Sequence, residues 1–411
     1  MVRGAWLAPF QVRSFRFQYP ADLLTSWGSE MENLILGWYI LVTTGSVVLL
    51  TLYGSLQYFG TLVAPLFGMV GDRLGQRIAM CAMRAFYAVL ASLLMTLAFI
   101  DVLRPLHVFV IAAIAGLVRP ADLAMRAALV AETMPTDRFV PAMGASRTTS
   151  DSARTVGSLA GAGLFAALGL GPAYVFITCF YVGGFLLTLG VGGTRVVRHA
   201  GAPRNSLWRD LRDGLEHLWD TPSSLAALWL AFLVNLTAFP VTSGLLPYVA
   251  RDVYHADQTG LGSLISSFAF GSLLGSILIS VIGRSIRPAR MMIVFALGWY
   301  AMLLVFVRTP DPMSGCGVLI CAGLAQSLSL VPMSAMLLHG AGAYRGRVMG
   351  MRMLAIYGLP LGLLAAGALI ERIGFVATVT GYCVFGIVLT LLIALRWREA
   401  LWPLHAPANA R

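Results

Sequence analysis

Hydrophobic residues fill this chain in long blocks separated by short polar gaps. Twelve blocks can be drawn, at 22–44, 47–71, 78–100, 105–131, 145–169, 172–193, 224–249, 258–283, 289–308, 313–338, 347–372 and 373–396. Each has roughly the 20 or more residues that a helix needs to cross about 30 Å of hydrocarbon. Lipid tolerates no bare backbone amide, so blocks of this length predict helices. One gap, 194–223, is longer than the rest and divides the blocks six and six. The pattern therefore predicts an all-α integral membrane protein. Its parts are a tail 1–21, a six-helix bundle 22–193, a linker 194–223, a second six-helix bundle 224–396 and a tail 397–411. Inside the linker, Leu207, Trp208, Leu211, Leu215, Leu218 and Trp219 share one helical face opposite charges. That suits a helix lying on a membrane surface, or a plain tether.

The halves are weakly alike. Gly157, Gly161 and Gly169 in the fifth block are echoed by Gly358, Gly362 and Gly374 in and after the eleventh. Each block then passes through a minimal turn into the last helix of its half. Small residues at such positions suit close helix packing.

Composition agrees with the pattern. The 411 residues are 58% hydrophobic and 11% charged, against roughly 25% charged in soluble domains. The net charge of +11 comes from arginine, with no lysine in the chain. Its placement argues for membrane topology and against nucleic acid. Arginines crowd the N-terminus (Arg3, Arg13, Arg16), the loops after the second, fourth, eighth and tenth blocks, the linker, and the end of the twelfth block (Arg396, Arg398). The alternate loops hold only Arg104, Arg251, Arg308 and Arg372. Basic loops stay inside, so both termini are expected in the cytoplasm, with the protein in the cell inner membrane. No signal peptide is apparent. The five cysteines lie in apolar blocks and the six histidines are scattered singly, so no metal site is expected. No phosphate-cradling G-x4-G-K-[ST] loop and no paired nucleophile and base occur. Neither a catalytic residue nor a cofactor is expected.

A short charged loop joins the second and third blocks. Gly75 suits a tight turn, and Asp72, Arg73 and Arg77 can pair with one another and with helix ends. Gly68, Asp72, Arg73, Gly75 and Arg77 form the pattern G-x3-D-R-x-G-x-R. It resembles the loop between helices 2 and 3 of the major facilitator superfamily of transporters. The resemblance implies the major facilitator fold, with 12 transmembrane helices in two six-helix bundles, and makes these five residues a gating loop. The matching loop of the second half keeps Arg284, Arg287 and Arg290 but lacks the acid, so the first-half loop is expected to gate more strongly.

Further stretches resemble one bacterial branch, the enterobactin-exporter-like or transmembrane secretion effector group. They are 36–46, 127–135, 153–157, 210–215 with 221–222, 246–253 and 345–350. This implies efflux of a siderophore or macrolide-like drug, driven by protons without ATP. Two antiporter patterns are partial. Arg119-x2-Asp122-Leu123 stands where Arg-x2-Gln-Gly is usual, and Gly157-Ser158-x2-Gly161-Ala162 where Gly-Pro-x2-Gly-Gly is usual.

Charges at membrane depth are costly and usually functional. If the first helix starts near Asp22, Glu32 lies ten residues in, about 15 Å. If the fourth ends near Ala131, Arg119 lies twelve residues from the same face, about 18 Å. Helices 1 and 4 of this superfamily's fold border the cavity, so the two charges could meet, with Glu30 and Asp122 one turn nearer the cytoplasm. Glu32 is expected to take the proton, with Glu30 the next candidate, and Arg119 to release it or the substrate. A permanent structural ion pair is the alternative. Gln57, Asn235, Gln326 and Tyr357 are candidates to line the substrate cavity, although Gln57 and Asn235 fit interhelical hydrogen bonds as well. Asp151, Arg154 and Arg352 are expected in the cytoplasmic ion network.

The function expected is proton-coupled export of a small amphipathic molecule by alternating access. The partners are then that substrate, protons and the lipid bilayer, the chain acting as a monomer. An importer of a siderophore or nutrient is the second reading, and a transport-dead receptor the third.

Overall fold

The computed structural model describes residues 8–62, 74–135, 138–192, 219, 221–282, 287–338 and 351–402. Among them there is no strand, and the helices follow the apolar blocks. They are α1 (Arg13–Thr44), α2 (Val47–Leu56), α3 (Gln76–Phe99), α4 (Pro105–Thr133), α6 (Leu170–Leu189) and α7 (Pro222–Thr237). After these come α8 (Gln258–Ile282), α9 (Pro288–Phe306), α10 (Pro312–Leu338), α11 (Gly358–Ile373) and α12 (Phe375–Arg396). Between α4 and α6, α5 joins Phe139–Ser152, a π-helical turn Ala153–Gly157 and Ser158–Leu168. Eight of the described helices are long and apolar enough to span a bilayer, consistent with the twelve-helix fold.

Local chemistry sets the ends. Gly45, at φ +67°, closes α1 by returning its N–H to the Leu41 carbonyl. Ser46 then caps α2, accepting from the Leu49 N–H at 3.3 Å. Gly75, at φ +90°, makes the turn into α3, a conformation that favours glycine. Asp257 accepts from the Thr259 hydroxyl and the Gly260 N–H ahead of α8. These bonds hold its carboxyl below the ordinary range.

Several boundaries differ from the hydropathy reading. α1 begins at Arg13 instead of near 22. Phe10, Phe15 and Tyr19 stack edge to face and pack on Val130, Met134, Ala142 and Ala145, so burial extends the helix beyond its apolar block. The seventh block is not one helix. It stops at Thr237 and continues as short pieces, Phe239–Ser243, Leu246–Tyr248 and the π-helical Val249–Val253. Pro240, Gly244 and Pro247 lie in this stretch, and proline removes a helical donor. In the eleventh block a turn at Ile356 and Tyr357 precedes α11.

Contacts divide the chain into two units, 1–200 with Pro247–Ser266, and Gly201–Leu246 with Ser267–Arg411. In the first unit, glycines bring helices to backbone contact. A Cβ at Gly161 of α5 would lie 3.0 Å from Met31 Cα of α1, and one at Gly116 of α4 would lie 2.0 Å from the Leu56 carbonyl. The Pro247–Ser266 segment joins this unit through Arg251, which donates to the Leu41 carbonyl at 2.7 Å, and through Gly262 packed on Ala162.

The second unit repeats these devices. A Cβ at Gly362 of α11 would lie 2.0 Å from the Leu236 carbonyl of α7, and one at Gly323 of α10 would lie 2.1 Å from the Phe268 carbonyl of α8. Gly169 and Gly374 make the same turn, at φ +81° and +83°, between the last two helices of each half. The core of this unit is Trp299, Tyr300 and Phe306, with Tyr300 bonded to Thr237 at 2.6 Å.

Candidate functional site

α1 and α4 carry charge into the interior of the first unit. Arg119 of α4 donates from Nη2 to Glu32 Oε2 of α1 at 2.9 Å. Its Nη1 donates to Asn33 Oδ1 at 2.5 Å and to Gln57 Oε1 at 2.7 Å. Tyr181 of α6 donates its hydroxyl to the same Glu32 oxygen at 2.8 Å. Tyr87 of α3 packs on Tyr181 with ring centroids 5.7 Å apart. α1, α4 and α6 thus meet at one carboxylate, with Tyr87 of α3 behind Tyr181 and Gln57, which ends α2, on Arg119. The pair is not sealed, because the Arg119 side chain keeps 21% of its exposure and Glu32 10%. One guanidinium therefore holds an ionisable acceptor on one nitrogen and two neutral amides on the other. Protonating Glu32 would remove the charge that faces Nη2, while Asn33 and Gln57 keep their contacts with Nη1.

One to three turns along the same helices lies a second network. Asp22 of α1 pairs with Arg84 of α3 and stands 3.7 Å from Arg126 Nε of α4. Arg84 also bonds Thr188 of α6. Arg126 bridges to Asp122 at 2.5 Å, to Ser26 at 2.6 Å and to the Asp22 carbonyl at 3.3 Å. Gln18 donates to the Arg126 carbonyl at 3.1 Å. All four ionic side chains are buried. The charges balance two against two, as buried charges must.

The remaining sequence candidates are dispersed. Asp122 faces Arg126 and not Arg119. Glu30 approaches Arg154 at 3.8 Å, both partly exposed, and Asp151 pairs with Arg147 at 3.5 Å. Arg77 caps the C-terminal end of α6 by donating to the Leu189 carbonyl at 2.5 Å, while Gly68, Asp72 and Arg73 lie outside the described residues. In the second unit, Asn235 turns back on its own helix, donating to the Ala231 carbonyl at 2.8 Å. Gln326 is buried and accepts from Ser272 across the α8–α10 contact at 2.6 Å. Tyr357 sits at the turn that precedes α11. Gly157 packs on Trp27, and Ser158 bonds the Arg154 carbonyl, so the partial antiporter pattern lies at the α1–α5 contact.

Sequence reasoning missed Asn33 and Tyr181 as partners of the pair. It also took Asp22 for the start of the first helix, whereas α1 begins at Arg13. The spacing of Arg119, Asp122 and Arg126, three and four residues apart on one helix, was the available signal for a charged stripe.

The family model described as Major Facilitator Superfamily matches residues 19–355. No curated protein sequence matches the chain. Among solved structures, a point mutant of the nucleoside transporter NupG is similar, at TM-score 0.70 and 15% identity over 94% of this chain and 99% of its own. A bacterial homolog of the human lysosomal transporter Spinster, inward-facing and unoccupied, gives TM-score 0.71 at 12% identity over 96% and 97%. A D-xylose–proton symporter gives 0.67 at 12% over 92% and 96%.

Proposed function

Because the chain belongs to the major facilitator superfamily, we propose that it is a proton-coupled exporter whose coupling carboxylate is Glu32. It is a multi-pass membrane transporter and not an enzyme. The observation that carries the reading is the Glu32–Arg119 pair at 2.9 Å, set among Asn33, Gln57 and Tyr181. In this reading Glu32 occupies Arg119 Nη2 when ionised. The ionised pair holds the substrate, and protonation of Glu32 discharges the pair and releases it. Proton and substrate then exclude one another at Arg119, which is the requirement for exchange across alternating access. The cargo is a small amphipathic molecule of the siderophore or macrolide type, following the resemblance to the enterobactin-exporter-like branch. The loop of Gly68, Asp72, Arg73, Gly75 and Arg77 serves as the cytoplasmic gate, with both termini on that face. The partition into bundles 22–193 and 224–396 belongs to the same proposal.

Everted vesicles test direction. With an acid interior they should accumulate cargo, and collapsing the proton gradient should stop accumulation. Uptake by right-side-out vesicles under an inward proton gradient, without uptake by everted ones, would instead establish import.

A further inference from the structure

In the second unit, α7 and α12 leave a groove of about 430 Å³ between them. Trp229, Phe232 and Leu236 of α7 wall one side, and Phe385, Leu389 and Leu392 of α12 the other. Arg396 and Trp397 close one end, with the guanidinium carbon 5.7 Å from the Trp397 ring centroid. Trp229, Phe385 and Leu392 are about half exposed. Their surface continues along α12 through exposed Val384, Val388, Leu391 and Leu395. In a membrane-spanning helix that apolar outer surface meets lipid, so the groove opens sideways into the bilayer.

Its dimensions and chemistry are those of one lipid leaflet. Phe385 to Arg396 spans about 16 Å at 1.5 Å per residue, roughly half of a 30 Å hydrocarbon core. The walls are hydrocarbon and aromatic, and the far end carries a fixed cation. Arginine forks onto phosphate oxygens, and tryptophan sits at headgroup level. Exposed Arg398 adds a second positive charge on the next turn, against Glu399. We propose that this groove binds an anionic phospholipid, one acyl chain lying between α7 and α12 and the phosphate on Arg396. Basic pockets between spanning helices recognise anionic headgroups in this way. The site is independent of Glu32 and of transport direction.

Native mass spectrometry of the full chain in detergent tests this, with phosphatidylglycerol and phosphatidylcholine of matched acyl chains. Wild type should retain one phosphatidylglycerol in preference to phosphatidylcholine. Arg396→Gln should weaken phosphatidylglycerol binding about tenfold or more, through loss of a charge-assisted contact, and leave phosphatidylcholine little changed. Leu392→Trp, filling the groove from its lipid-facing wall, should lower both. Size-exclusion profiles establish that each variant is folded. Equal retention of the two lipids by wild type would overturn the proposal, as would phosphatidylglycerol binding untouched by both substitutions. A dimer that Leu392→Trp dissociates would also overturn it, by placing a second copy in the groove.

Discussion

Glu32 accepts from Arg119 and from Tyr181 at the same oxygen. A hydrogen bond to a charged group is worth about 1.5–3 kcal/mol, and 1.4 kcal/mol is tenfold in an equilibrium. Tyr181→Phe should therefore slow uphill transport about tenfold or more while leaving expression near normal. A wild-type rate in a vesicle assay would remove Tyr181 from the site. The neighbouring Asp22 network makes a stability prediction instead. Asp22→Asn leaves Arg84 and Arg126 buried with one carboxylate fewer, which costs about 3–5 kcal/mol. Thermal unfolding in detergent should show a clear fall, and an unchanged melting temperature would mean that water screens these charges. Glu32 and Arg119 were legible in the sequence because a charge in an apolar block stands out. Tyr181 is one of 13 tyrosines, and nothing local marks which of them faces a carboxylate. Asp22 was misplaced because hydropathy started the helix at 22, whereas aromatic packing starts it at Arg13.

Glycine sets the distance between helices in both units. Gly116 and Gly161 in the first unit have their counterparts in Gly323 and Gly362 of the second, each against the backbone of a neighbouring helix. The sequence echo between the fifth and eleventh blocks was therefore a record of packing, and Gly169 and Gly374 record the turn that follows. Gly323→Leu would drive a side chain into the Phe268 carbonyl and should cost about 1–3 kcal/mol or more. Gly317 on the same helix has open space around it, so Gly317→Leu should be tolerated. Equal folded yield of the two variants by fluorescence-detected size exclusion would contradict this account of the crossing. The existence of the helices was legible, since a long apolar block has no other stable form in lipid. Their breaks were not. Hydropathy runs unbroken through Thr237 and Ile356, where proline, glycine and tertiary packing decide the backbone.

The arginine pattern of the whole chain and the family match describe one kind of molecule, a multi-pass transporter of the major facilitator superfamily. The fold likeness to a nucleoside transporter and to a sugar–proton symporter, at 15% and 12% identity, leaves cargo to the chemistry of the site. That chemistry is an arginine held between one ionisable and two neutral acceptors. The decisive measurement is a paired assay of Glu32→Gln in proteoliposomes, with substrate counterflow at equal pH beside accumulation under a proton gradient. The account predicts that counterflow persists, because the amide oxygen put in place of the carboxylate still accepts from Arg119, while accumulation against a gradient disappears because that group takes no proton. If Glu32→Gln still concentrates substrate uphill, Glu32 is not the coupling carboxylate.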